Sequence, residues 1–283
     1  MSDTKNPITL MIYQFTINLV VVVIAFIVLS IIGTDFSTVF EFNNFIILLI
    51  SAFFIFLGVI TFYYGLNIGH VSVATVVLSG RVLFVIPIGL LFLQEIYPQI
   101  TYLWIFIIVI GILLVSWDTS MGIKDVLYFK GTYYYILTNV FWSIANSLIR
   151  FLHNDVHFVG IILIRLLVLT SLIFLLAPKL NETFSYPKIE RFSLKFTILV
   201  TILVLELFLG DLGYIYSLGF SATITEAIGS LQGLFVFVLV LVLSKIKYFK
   251  DGLKEPLDNK TLTVRILGMI LATIGTVGIA FAV

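Results

Sequence analysis

The chain has 283 residues, of which 61% are hydrophobic and 11% charged, with a formal net charge of +1 and a mean hydropathy of +1.19. No water-soluble domain of this length needs so much apolar sequence, so these values exclude a soluble globular protein and indicate a protein whose solvent is lipid. The lack of cysteine excludes disulfides and cysteine-ligated metals, and the small net charge without a basic arm gives no reason to expect nucleic acid as a partner.

Apolar runs of spanning length follow one another along the whole chain. A helix needs roughly 20 mainly apolar residues to cross the hydrocarbon core, where the backbone must satisfy its own hydrogen bonds. We therefore predict an all-α polytopic membrane protein with about nine spans. In chain order these spans fall at about 8–32, 44–67, 71–93, 102–117, 131–151, 158–177, 196–217, 221–244 and 264–283. The first run is too long for a signal peptide, and we expect it to be an uncleaved span.

Lysine and arginine lie almost entirely on one side of the bilayer when nine spans alternate across it. The long connections at about 179–195 and 245–263 carry most of them, whereas Arg150 stands alone on the opposite side. By the positive-inside rule the lysine-rich loops are cytoplasmic. We therefore predict a multi-pass protein of the cytoplasmic membrane, with its N-terminus inside and its C-terminus outside.

The two halves of the chain resemble each other. Residues 56–66 align with 208–218, residues 79–85 with 230–236, and Ile110-Gly111 with Ile274-Gly275. Spans one to four would then repeat as six to nine and point the opposite way, because corresponding spans are an odd number apart. We predict an inverted-repeat helix bundle, with a first repeat of four helices at 1–117 and a second of five at 131–283. Chance similarity between apolar helices is the alternative explanation.

Five charged residues lie inside the predicted spans, where a charge costs several kcal/mol unless it is paired or hydrated. They are Arg81 in the third span, Arg165 in the sixth, Glu206 and Asp211 in the seventh, and Glu226 in the eighth. For Arg81 two hypotheses stand side by side: contact with a substrate, or an ion pair that ties the third span to the seventh or eighth. Arg165 fits a structural role better, and Glu226 lies near enough to the outer boundary to be simply hydrated.

Motifs of enzymes and ATP-driven pumps are absent from the sequence. There is no H-E-x-x-H, no G-x-S-x-G and no G-x-x-x-x-G-K-[ST]. We therefore expect neither catalytic residues nor a cofactor nor a metal site, and any transport would be secondary.

The segments that carry a family resemblance are spread over most of the chain. They are Tyr63–Leu66, Ser72–Ala74, the run to Glu95, the stretch from Tyr214 to Ala222, Ser230–Val236 and Gly268–Gly278. Together they resemble the EamA-like permeases of the drug/metabolite transporter superfamily. The resemblance implies a 5+5 plan of two inverted repeats, of which the first helix is absent here, and it implies transport by alternating access. Gly233 stands where the family often has proline.

The same resemblance places a substrate cavity among spans two, three, five, seven and eight. The candidate lining is then Arg81, Trp142, Asn146, Asp211, Tyr214, Glu226 and Gln232. Arg81 would bind a substrate carboxylate or phosphate, since guanidinium matches both groups bidentately. Trp142 and Tyr214 would form an amphipathic wall, and Glu226 or Asp211 would exchange a proton during the cycle.

The leading functional hypothesis is a secondary transporter of a small metabolite, for example an amino acid, with export favoured over import and protons as the candidate coupling ion. A multidrug or cationic-compound exporter is the first alternative, since carboxylates outnumber arginines in the spans. A non-transporting lipid-handling or assembly protein is the alternative from another class. The lipid bilayer and a small molecule are the expected partners, and no feature indicates the oligomeric state.

Overall fold

A computed structural model describes residues 7–68, 74, 77–78, 80–117, 130–152, 155–183, 210, 212–229, 231 and 259–282. In this part of the chain every regular element is helical and no strand occurs. The α-helices are α1 (Pro7–Ile32), α2 (Phe42–Ile68), α3 (Val82–Phe92), α4 (Gln99–Ser116), α5 (Lys130–Arg150), α6 (Phe158–Thr183), α7 (Ala222–Gly229) and α8 (Asn259–Ala282). A 3-10 turn, Ser37–Phe40, precedes α2. The all-α fold predicted from composition is confirmed.

Several of these helices are long and apolar enough to cross a bilayer. Such stretches are Phe15–Ile32 in α1, Phe42–Leu66 in α2, Phe158–Leu176 in α6 and Lys260–Ile279 in α8, while α3 and α4 are apolar but shorter. Large apolar side chains lie on the outside of these helices, as at Ile31 (80% exposed) and Phe281 (88% exposed). Water would oppose such exposure and lipid favours it, so the chain is an integral membrane protein.

The chain packs as two compact units, and each unit combines segments from both halves of the sequence. The first unit is Met1–Leu57 with Ile144–Phe220, and the second is Gly58–Ser143 with Ser221–Val283. The division is one of packing, and the repeat boundaries at 1–117 and 131–283 stay a prediction.

In the first unit α1 packs antiparallel to α6. Phe36, which follows α1, packs edge-on against His157, which directly precedes α6. Gly160 of α6 makes room for the side chain of Val39. In the connecting loop the backbone N–H and the hydroxyl of Ser37 both donate to the Asp35 carboxylate, and these bonds lower the pKa of Asp35 below its usual value.

In the second unit α4 and α8 form a close antiparallel pair. Ile108 contacts Gly275, and Gly111 lies against Ala272 one turn further along α4. A Cβ atom added at Gly111 would lie 2.5 Å from the backbone nitrogen of Ala272, so the two backbones are in direct contact. Lipid gives helices no hydrophobic reason to associate, and close backbone packing at small residues supplies the attraction instead.

Replacing Gly111 by alanine should therefore destabilise the second unit. The new methyl group meets backbone atoms, which cannot rotate away, and overpacking of this kind costs about 1–3 kcal/mol. Gly213→Ala is the matched control, because a Cβ atom at Gly213 meets no atom within 4 Å. Thermal unfolding in detergent, followed by tryptophan fluorescence, should show a lower Tm for the first variant only; equal Tm values would contradict the close contact.

Candidate functional site

An ion pair between Arg81 and Glu226 marks the candidate site in the second unit. The Nε atom of Arg81 lies 2.6 Å from Oε2 of Glu226. Arg81 is the residue before α3, and Glu226 lies in the middle of α7. One turn of α7 earlier, Thr223 lies beside Gly89, so α3 and α7 run antiparallel. Of the two spans predicted as partners of Arg81, the seventh and the eighth, the ion pair is therefore formed with the eighth.

The helix α5 supports this ion pair from a second side. The guanidinium carbon of Arg81 lies 5.6 Å from the ring centroid of Trp142, within the range of a cation–π contact. The Ser143 hydroxyl donates to the carbonyl of Arg81 at 3.4 Å, and the Asn139 amide donates to the carbonyl of Val77 at 2.7 Å. Side chains of α5 therefore hold both the charge of Arg81 and the backbone that carries it.

Trp142 is itself fixed by packing against α2. Its indole ring fits against Gly58, where a side chain would collide with it, and Tyr135 packs in the same way against Gly65. Between these two contacts the hydroxyls of Thr61 and Thr138 lie 2.9 Å apart. The indole is therefore held in a fixed position next to the guanidinium. It also stays a candidate contact for a substrate.

The two partners of the ion pair differ in their exposure. The Glu226 side chain is fully buried, whereas the Arg81 side chain keeps 20% of its surface exposed. A molecule that reaches this point can therefore contact the Arg81 side chain but not that of Glu226. Guanidinium binds carboxylates and phosphates through paired N–H groups, so the arrangement suits an anionic group.

The first unit holds a second polar cluster. Arg165 of α6, which is 8% exposed, donates from Nη2 to Oδ1 of Asn146 at 3.0 Å. The amide nitrogen of Asn146 donates in turn to the hydroxyl of Tyr214, also at 3.0 Å. Asn146 and Tyr214 were predicted to line the site, whereas Arg165 was interpreted as structural. Its buried charge within a span was the signal that pointed to a partner.

The structure thus assigns the predicted residues to two clusters. Arg81, Trp142 and Glu226 lie together in the second unit, and Asn146 and Tyr214 lie together in the first. Asp211 and Gln232 are outside the described residues, as is Glu206. Among the described residues no group of three or more histidine, aspartate or glutamate side chains could hold a metal ion.

Sequence reasoning missed the burial of two charges, that of Arg265, which is 4% exposed, and that of Glu95. This residue follows α3, is 8% exposed, and accepts hydrogen bonds from the backbone N–H groups of Ala222 (2.7 Å) and Thr223 (3.0 Å). An acidic residue just after an apolar span looks solvated in a sequence. The only available signal was its isolation from other charges.

Removing the central amide of the first cluster should lower stability. Asn146→Leu leaves buried Arg165 without one acceptor and the Tyr214 hydroxyl without one donor, and such losses cost about 1–3 kcal/mol. Thr273→Val is the control, because this exposed hydroxyl bonds only to the carbonyl of Met269 in its own helix. Chemical denaturation in micelles should separate the variants; equal stability would mean that the cluster contributes nothing to the fold.

Comparison with known proteins gives a match to one family model in the first part of the chain. The sequence model of the EamA-like transporter family matches residues 1–117. Members of this family are transporters of the drug/metabolite type, which act on small molecules in membranes and are not enzymes. No curated protein sequence matches the chain.

Solved structures add support for the fold. One crystal structure, described only as that of a protein, is 14% identical, with a TM-score of 0.72 over 99% of this chain and 90% of its own. At this identity the likeness shows the fold alone. The family resemblance read from the sequence is confirmed over residues 1–117, which match the model of the EamA-like transporter family, a family of the drug/metabolite transporter superfamily.

Proposed function

We propose that the chain is a secondary transporter for a small metabolite that carries an anionic group, and that Arg81 binds this group. The observation that carries the proposal is the Arg81–Glu226 pair, in which the Arg81 side chain keeps some exposure while the Glu226 side chain has none. A cationic compound would need the carboxylate, which Arg81 already occupies. The geometry therefore favours an anionic or zwitterionic metabolite, such as an amino acid, over the cationic drugs of the alternative hypothesis.

The pairing of the helices supports transport by an inverted repeat. Three pairs of helices that correspond in the predicted repeats pack against each other in opposite directions: α1 with α6, α3 with α7, and α4 with α8. Two copies related by a two-fold axis in the membrane plane would produce this pattern. Exchange of conformation between such copies opens a site alternately to each side of the membrane.

The ion pair also suggests how protons would be coupled. When a substrate anion takes the place of Glu226 at Arg81, the carboxylate is left buried without its counter-charge. An uncompensated buried charge is costly, and a proton carried together with the substrate anion would balance it. Each bound anion would then be accompanied by one proton, and release of both would restore the pair. We propose export as the direction, following the family.

Efflux from proteoliposomes tests the role of Arg81. Vesicles are loaded with a mixed metabolite pool, and loss is measured by mass spectrometry for the wild type, Arg81→Gln and the double variant Arg81→Gln/Glu226→Gln. We expect the wild type to release one class of anionic or zwitterionic metabolite. The efflux rate of this class should be at least about tenfold lower in both variants, because both lack a charge-assisted bond to the substrate.

The double variant distinguishes binding from structure. If Arg81 serves only to neutralise Glu226, removing both charges leaves no unpaired buried charge and should restore efflux. Arg265→Gln is the control for the loss of a buried arginine in the same unit, because the Nε of Arg265 donates to the carbonyl of Trp117. Efflux restored in the double variant, or lost equally in Arg265→Gln, would contradict binding at Arg81.

We also propose that the protein lies in the cytoplasmic membrane with its lysine-rich loops inside. Because the chain has no cysteine, single cysteines report sidedness without background. Ser37→Cys, on the exposed turn between α1 and α2, should react with an impermeant maleimide in intact cells. Lys188→Cys should react only after permeabilisation. The reverse pattern would overturn the orientation and leave the fold untouched.

A further inference from the structure

The short loop after α3 binds the start of α7 through a group of polar contacts that we call the Glu95 clasp. It comprises Glu95 and Tyr97 from the loop, and Ser221, Ala222 and Thr223 from the start of α7. The Glu95 carboxylate accepts the backbone N–H groups of Ala222 and Thr223, and the Ser221 hydroxyl lies 3.4 Å from it. The Tyr97 hydroxyl donates to the Ser221 hydroxyl at 2.6 Å.

The clasp is well matched to the end of a helix. The first N–H groups of a helix have no partner within it, and its dipole favours a negative charge at this end. Ser221 caps α7 by accepting the N–H of Ile224, and Glu95 satisfies the two N–H groups in between. The carboxylate is thus bound by the backbone of α7, so a displacement of α7 necessarily breaks these bonds.

The backbone of the loop is shaped to deliver Glu95 to this position. Gln94 adopts a left-handed conformation with a φ of 54°, and the N–H of Glu95 donates back to the carbonyl of Gly89 at 2.9 Å. This is the turn that commonly ends a helix, with glutamine where glycine is usual. Tyr102 of α4 fixes the loop further by donating its hydroxyl to the carbonyl of Glu95.

The clasp and the ion pair hold the same short helix at two places. Glu95 binds the first turn of α7, and Arg81 binds Glu226 in its second turn. Both ties are polar side-chain contacts that can open and re-form. The α4–α8 contact is different, because its backbones touch and cannot separate without loss of packing. Of these elements, α7 is therefore the one suited to move.

The sequence carries no acidic residue at the position of the second half that corresponds to Glu95. The alignment of residues 79–85 with 230–236 puts Ile246 at the position of Glu95, between Lys245 and Lys247, and no acidic residue lies from 243 to 250. In an inverted repeat, a contact present in one half only cannot be exchanged for its mirror image. Such a contact stabilises one of the two conformations relative to the other.

We infer that Glu95 is a positioning residue and that the Glu95 clasp is the gate on the face that bears residues 93–98. It holds this face closed by binding α7, and each transport cycle has to release it. The inference rests on the proposed function, since it assumes alternating access. Loss of the clasp should shift the protein towards the conformation that is open on this face.

Labelling of a single cysteine tests the gate without a substrate. Thr225→Cys, a buried position on α7, serves as the reporter in the cysteine-free chain. An impermeant maleimide is applied to sealed vesicles of defined orientation, from each face in turn. Glu95→Gln in this background should raise the labelling rate from the face of residues 93–98 by about tenfold, since bonds to a charged group are lost. The rate from the opposite face should fall.

The variant Gly89→Ala perturbs the contact between the loop and the start of α7 without removing a charge. A Cβ atom at Gly89 would lie 2.5 Å from the Thr223 hydroxyl and 3.3 Å from the Glu95 carboxylate, so Gly89→Ala should push the start of α7 away and raise labelling in the same direction. Glu41→Gln is the matched control. This carboxylate lies in the loop between α1 and α2, and it accepts a hydrogen bond from the Asn44 amide, three residues further along the chain.

The outcomes separate the gate from other roles of Glu95. Unchanged labelling in both variants, with an unchanged Tm, overturns the inference. Faster labelling from both faces together with a lower Tm also overturns it, because this indicates local unfolding. A reciprocal change between the faces supports it. This result would hold even if no metabolite were released from vesicles, in which case the proposed substrate binding would fail and the gate would stand.

Discussion

The charge of Arg81 in a lipid-embedded helix pair is the constraint on which the second unit depends. A guanidinium cannot stay in such surroundings without partners, and its partners come from two separate parts of the chain. Glu226 of α7 neutralises it, Trp142 of α5 stacks beneath it, and Ser143 of α5 binds the backbone that carries it. The need to compensate one charge thus fixes the position of α3 relative to both α5 and α7.

The contacts in this unit fall into two kinds, and the difference bears on function. Where α4 meets α8, and where α2 meets α5 at Gly58, backbone or ring atoms fill the space of absent side chains. Such contacts are short-ranged and lost at once on separation. Where α3 meets α7, Gly89 also lies close to Thr223, but an ion pair and a carboxylate at a helix end are added, and these two ties act over longer distances and accept exchange for other polar partners. A transporter needs both kinds of contact: close packing keeps part of the structure fixed, and polar ties allow another part to move.

Composition and apolar spacing were sufficient to predict the helical membrane fold, because lipid leaves a chain few other ways to satisfy its backbone. Pairing of Arg81 was predicted only as a choice between two helices, since spacing along the sequence does not say which helix lies opposite. The bond from Arg165 to Asn146 was missed for the same reason. Glu95 was missed because its partners are backbone N–H groups, which no residue type reveals, and because Gln94 turns the chain without the glycine that usually marks such a turn. The predicted roles of Asp211 and Gln232 stay predictions.

The two polar ties of α7 give a physical route from substrate binding to opening. In this structure Arg81 and Glu95 both bind α7, and these two contacts hold it against α3. Under the proposed function, a substrate anion that replaces Glu226 at Arg81 would remove one of these ties, and the free energy needed to release α7 would fall by the strength of the ion pair. By thermodynamic linkage the reverse also holds: release of α7 withdraws Glu226 from Arg81 and thereby strengthens the affinity of the guanidinium for an anion. Binding and opening would then favour each other.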